Sequence, residues 1–234
     1  MIPLRDTQEI KIFPIVTILI ILINAIVFGT MYFTAIATPS PSVKLAMFFQ
    51  HYGLVPYEII TGKLIYPSIK PVWLSFISSI FLHGGWMHII GNMLFLWIFG
   101  NNIEDYVGAA GFVLFYLASG IVASLSQIAT SPFSKIPVIG ASGAIAGVMG
   151  AYFYLFPKAR IKSIVFMFYF VTFVEVPAFI FLLLWFFMQL FSGFASFGSA
   201  TSVAVWAHIG GFVFGFLVAV VLKASRRGRE IYPS

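Results

Sequence analysis

Gly140-Ala141-Ser142-Gly143-Ala144-Ile145-Ala146-Gly147 sets a serine among glycines at the mouth of an apolar run, and Ala207-His208-Ile209-Gly210-Gly211 opens a later one with a histidine. Polar groups are costly in hydrocarbon, so a serine and a histidine placed there point to function. Small residues recur at intervals of four, Gly143 and Gly147 in the first run and Gly211, Gly215 and Ala219 in the second. Small faces of this kind let membrane helices approach closely. If the two stripes face each other, Ser142 and His208 come within hydrogen-bond reach, as a nucleophile and its base. The alternative is plain helix packing, with Ser142 a helix cap and His208 an interfacial residue.

The surrounding composition is that of a membrane protein. Of 234 residues, 61% are hydrophobic and 9% charged, with a mean hydropathy of +1.03. Several stretches approach the ~20 apolar residues that span a bilayer. The first apolar run, Phe13 to Phe33, is too long for a signal peptide and has no clear cleavage site, so it is expected to stay as a span. Cysteine is absent, which excludes disulfides, thiol nucleophiles and cysteine metal sites. The net charge of +6 reads as membrane topology and not as nucleic-acid binding, because the basic residues cluster beside spans.

The fold expected is all-α: a six-helix polytopic bundle, one domain over 1–234, with spans at about 14–34, 86–103, 111–128, 141–156, 175–191 and 203–223. Pro177 marks the start of the fifth span, leaving Ile161 to Val174 partly interfacial. The short ends beyond the first and last spans leave no room for a further domain. Six crossings put both termini on one side, with Arg5, Lys11, Lys158, Arg160, Lys162, Lys223, Arg226, Arg227 and Arg229. Only Lys44, Lys63, Lys70 and Lys135 fall opposite, so the positive-inside rule places the termini in the cytoplasm. Ser142 and His208 then both begin inward-running spans, at matched depth below the outer surface. The 34–85 connection holds five prolines yet stays rich in apolar residues, and is expected to fold into short helices in the outer leaflet. The 192–202 loop is either a cover over the site or a flexible connector.

His88 and Asn92 stand four apart, hence on one helical face, near the outer end of the second span. They are suited to holding a developing oxyanion, or to linking helices as a polar patch. His83 precedes that span and is placed to orient the loop. A zinc reading of His83, His88 and His208 is weaker, since no HExxH accompanies them. Glu104 and Asp105 lie at the far end of the second span, where they brace the cytoplasmic loop.

In this order, His83-x4-His88-x3-Asn92, Glu104, Gly140-x-Ser142-Gly143 and Ala207-His208-x2-Gly211-x3-Gly215, the residues resemble those of the rhomboid intramembrane serine proteases. The resemblance covers the whole six-span core. It implies a Ser142–His208 dyad with no acidic third member and no metal or cofactor. It also implies an oxyanion hole of the Ser142 N–H, His88 and Asn92, and structural roles for His83, Glu104, Gly140, Gly143, Gly147, Gly211 and Gly215. The first loop would be membrane-embedded, 192–202 the cap, and the substrates single-span membrane proteins cut in or near the span. Two positions depart from the family pattern: Ala146 stands where an aromatic residue often stacks on the histidine, and Trp73 is followed by Leu74 where the family often has Trp-Arg. The rival function is a silent member of the same fold that binds membrane proteins without cutting them. A transporter or channel is disfavoured by the lack of internal repeats and mid-membrane ion pairs. The natural substrate and the oligomeric state are not legible in the sequence.

Overall fold

The computed structural model describes residues 2–65, 71–167, 170–195 and 204–231. Most of them are helical. The first long helix, α1 (Ile15–Ile36), carries no acidic residue in its own first turn. Glu104 supplies that charge from elsewhere: its carboxylate accepts from Val16 N at 2.8 Å, Thr17 N at 2.7 Å and Thr17 Oγ1 at 2.7 Å. These are N–H groups that a helix start leaves without partners, and the helix dipole favours an anion beside them.

The connection after α1 folds into α2 (Pro41–Tyr52), α3 (Pro56–Thr61) and a short run of turns around α4 (Ser75–Ser78). Proline opens both α2 and α3, where its missing N–H costs nothing. Phe28 and Met31 of α1 pack with Leu82 and Ile89 under Leu45, Phe48 and Phe49 of α2. Leu54 and Val138 exchange backbone hydrogen bonds at 3.0 and 2.7 Å, and Gly140 N donates to Ser79 O at 2.9 Å. The loop thus grips the strand of chain that leads into Ser142. Pro67 and Lys70 lie outside the described residues.

Next, α5 (Trp86–Phe95) runs through a π turn at Leu96–Gly100 into α6 (Asn101–Val107). Then come α7 (Ala109–Thr130), α8 (Ser142–Leu155), α9 (Ala178–Ala195) and α10 (Val205–Ile231). Three helical segments, Ile15–Ile36, Ala109–Thr130 and Val205–Ser225, are long and apolar enough to cross a bilayer. A fourth arises if Val72–Phe81 and Trp86–Val107, bent by 83°, count as one span. The apolar stretches Ser142–Leu155 and Ala178–Ser192 are shorter. At ~1.5 Å per residue α8 is about 21 Å long, against ~30 Å of hydrocarbon. Among the described residues, length and apolarity alone therefore give three or four crossings where six are predicted. Together they make this an integral membrane protein.

The fold is not all-α. Residues read as an interfacial lead-in to the fifth span form a hairpin, β2 (Arg160–Met167) and β3 (Phe170–Pro177), and β1 (Ile2–Asp6) adds to β2. All pairings are antiparallel. The cause is local chemistry: isoleucine, valine and phenylalanine suit a pleated surface better than a helix turn. Along β2, Ile161 and Ser163 are fully buried while Lys162 points outward, the period-two pattern of a half-buried strand. Lys162 faces Glu175 across the hairpin and pairs with it at 3.0 Å, while Arg160 stands 3.4 Å from its other oxygen. Lys162 holds the Glu175 carboxyl below its ordinary value. At the end of β1, Asp6 accepts from Asn102 Nδ2 at 2.9 Å and from the Tyr152 hydroxyl. Burial raises the Asp6 carboxyl above the usual value. The sheet therefore ties α6 and α8 together at the end of the molecule opposite Ser142, and α9 begins only at Ala178.

The core centres on α7, α8 and α10, with Phe99, Phe112, Tyr116, Met149 and Tyr152 almost fully buried. Along α8 and α10 the helices touch backbone to backbone. A Cβ on Gly215 would lie 1.8 Å from Gly147 O, and one on Gly211 would lie 2.2 Å from Gly143 O. Only glycine fits such contacts, and dispersion across a close seam is a main source of helix association in lipid.

Candidate active site

Backbone contact between α8 and α10 carries the site. Ser142 is the first residue of α8, and His208 stands near the start of α10. The stripe contact places Ser142 Oγ 2.7 Å from His208 Nε2. Residue 143 must also be small, since a Cβ there would meet the Ala123 Cβ of α7 at 2.7 Å. Gln127 of α7 accepts from Ala207 N at 3.3 Å, capping the start of α10 beside the imidazole.

The pair opens into a cavity of about 910 Å³ whose polar lining includes His88, Asn92, Ser142, Gln189 and His208. Its other walls are apolar, Phe95, Ile145, Met149 and Trp185 among them, and among the described residues no charged side chain lines it. His88 accepts a long hydrogen bond, 3.4 Å, from Gly84 N at Nδ1. In a neutral ring the proton then sits on Nε2. That nitrogen lies close over Gly140, where a Cβ would be 2.8 Å from it and 3.7 Å from Ser142 Oγ. Gly140 itself has φ +117°, a conformation that side chains other than glycine rarely take.

His83 lies in the connection just before α5 and is fully buried there, with its Nε2 2.9 Å from Asn92 Nδ2. Because an amide nitrogen only donates, His83 accepts and fixes the Asn92 side chain. The His83 and His88 rings meet edge to face at 5.0 Å. His208 has both ring nitrogens engaged within the protein, by Ser142 and by Gln189, and so offers no free lone pair to a metal. Glu104 and Asp105 lie away from the cavity: Glu104 caps α1, and Asp105 accepts from Lys11 N and Ile12 N at 3.0 and 2.8 Å.

Two neighbours of His208 escaped the sequence reading. Gln189 Oε1 lies 2.8 Å from His208 Nδ1, and the Trp185 ring stands 6.0 Å from the imidazole at 43°. Both come from α9, four residues apart and so on one face. The signal was present: Gln189 is the one amide side chain in an otherwise apolar run from Ala178 to Phe191. Ala146 is fully buried in the α8–α10 seam, 3.4 Å from where a Cβ on Gly211 would lie. The aromatic neighbour of the histidine thus comes from a different helix. Residues 196–202 of the predicted cover lie outside the described residues.

A family model described as the Rhomboid domain matches residues 70–225. The mitochondrial rhomboid protein 1 of Saccharomyces cerevisiae is 35% identical over 127 residues, covering 53% of this chain and 34% of the relative. The rhomboid protease GluP of Bacillus subtilis is 33% identical over 156 residues, covering 67% of this chain and 27% of the relative. The presenilin-associated rhomboid-like protein of Mus musculus is 31% identical over 102 residues, covering 42% of this chain and 26% of the relative. The matches thus span only about a quarter to a third of those relatives' length. Every residue lining the cavity falls inside the family match, and the chain belongs to the rhomboid family.

Proposed function

We propose that this protein is an intramembrane serine endopeptidase that cleaves single-span membrane proteins in or near the span. The observation that carries this reading is the 2.7 Å contact between Ser142 Oγ and His208 Nε2 at the wall of a cavity. A serine hydroxyl is a weak nucleophile until a base takes its proton. His208 accepts that proton as Ser142 attacks the peptide carbonyl, then returns it to the departing amine. The acyl-enzyme so formed is released by water, with His208 again as base. The developing oxyanion meets the Ser142 N–H, free of a helical acceptor at the start of α8, together with His88 and Asn92. The relative named as a rhomboid protease supports this chemistry.

The geometry of α8 supports a nucleophile inside the membrane. Six crossings with cytoplasmic termini run α8 inward, its far end beside the basic sheet. A helix of about 21 Å that ends at the cytoplasmic boundary of ~30 Å of hydrocarbon starts roughly 10 Å below the outer one. Water reaches that depth through the cavity, whose polar lining includes the proposed machinery. Both Ser142→Ala and His208→Ala are expected to abolish cleavage of a single-span reporter in detergent or liposomes while leaving thermal unfolding near that of the parent. A silent membrane-protein binder would instead leave Ser142 unreactive. Fluorophosphonate labelling of the parent, lost in His208→Ala, is the outcome expected of the peptidase. Full cleavage by Ser142→Ala would rule out this nucleophile.

A further inference from the structure

We infer that Gln189 is a positioning residue for His208, completing a neutral Ser142–His208–Gln189 relay in place of the two-residue arrangement that the sequence implies. The inference rests on the proposed role of Ser142 and His208. Two contacts carry it: Gln189 Oε1 at 2.8 Å from His208 Nδ1, and Ser142 Oγ at 2.7 Å from His208 Nε2. An amide oxygen can only accept. The Nδ1 of a neutral imidazole facing it must therefore hold the ring proton. Nε2 is then left with its lone pair, aimed at the serine hydroxyl. The opposite tautomer would set two acceptors against each other at Nδ1 and leave Nε2 unable to take the serine proton.

Position and chemistry agree. Gln189 is the only amide side chain of α9, it is half-buried, and an amide withdrawn from water needs a hydrogen-bond partner. Its one described hydrogen bond goes to the imidazole. An ionised carboxylate in its place would carry a full charge into a cavity with no charged lining among the described residues, at a larger desolvation cost. An amide fixes the tautomer and the ring plane without that charge. Trp185, one turn earlier, flanks the same ring and limits its swing. Trp185 and Gln189 together do from α9 what an aromatic at position 146 cannot do here, since Ala146 is closed into the α8–α10 seam.

The first test uses the unaltered protein and needs no cleavage. Nitrogen-15 NMR of histidine-labelled protein in detergent, with His208 assigned by its loss in His208→Ala, reads the tautomer of the neutral ring. A proton on Nδ1 is expected; a neutral His208 protonated on Nε2 overturns the inference, whether or not the protein proves to be a peptidase. The second test is kinetic. Gln189→Leu is expected to lower kcat about 10- to 100-fold with KM within about twofold, as loss of an orienting partner does. Gln189→Glu, which keeps an acceptor oxygen in either protonation state, is expected to recover most of that loss. Wild-type kcat in Gln189→Leu, or a loss that Gln189→Glu leaves unchanged, overturns the positioning role. A parent that shows the expected tautomer and cleaves nothing would instead count against the peptidase reading alone.

Discussion

At the scale of one residue, Gly140 shows how closely the site is built. Its φ of +117° and the 2.8 Å between a hypothetical Cβ and His88 Nε2 leave no room for a side chain. Gly140→Ala would strain the backbone and push His88 away from the proposed oxyanion position. The expected result is a fall in kcat of about 10²-fold, the loss typical of one oxyanion donor, with a smaller effect on thermal unfolding than on turnover. A cleavage assay and a melting curve on the same preparation check it; unchanged turnover would remove His88 from the oxyanion role. Ser142, His208, His88 and Asn92 were legible because polar residues in apolar runs are few and each must answer for its cost. Gln189 met the same criterion but lacked a partner of known spacing, and only its hydrogen bond to His208 reveals it.

At the scale of elements, Glu104 links the second span to the first. It is fully buried and accepts three hydrogen bonds at the start of α1. Glu104→Ala would leave those donors without partners, at an expected cost of ~3 kcal/mol in stability, since hydrogen bonds to charged groups contribute ~1.5–3 kcal/mol. The check is a thermal shift in detergent, and the Ser142 labelling rate at low temperature should change little. The sequence showed Glu104 as a brace but not what it braces, because its partners are backbone amides almost ninety residues away. The sheet was missed for two reasons. Between Ile164 and Val176 the hairpin is an almost unbroken apolar run with no glycine, proline or asparagine to announce a turn. Its third strand comes from the far end of the chain, Ile2 pairing with Ile164.

At the scale of the whole molecule, basic residues are unevenly shared: nine fall on the side of the sheet, Arg5, Arg160 and Lys162 within it, against Lys44, Lys63, Lys70 and Lys135 on the other. This polarity supports the proposed orientation, with the sheet cytoplasmic and the cavity opening outward. A chain without cysteine makes the test direct. A single cysteine at Lys63, exposed in the first loop, should react with a membrane-impermeant maleimide in intact cells. One at Gln8, exposed near β1, should react only after permeabilisation. The reverse pattern would invert the topology and place the cavity on the cytoplasmic side.

Local sequence determined the solvent and the chemistry: a chain this apolar belongs in lipid, and a serine and histidine at the heads of glycine-striped runs are legible because each carries a desolvation cost wherever it sits. Tertiary structure decided the distances. How far each helix is rotated about its axis set the Ser142–His208 contact and brought Gln189 to the imidazole, and pairing across the length of the chain added β1 to the β2–β3 hairpin. Such contacts join residues far apart in sequence, and neither composition nor periodicity records them.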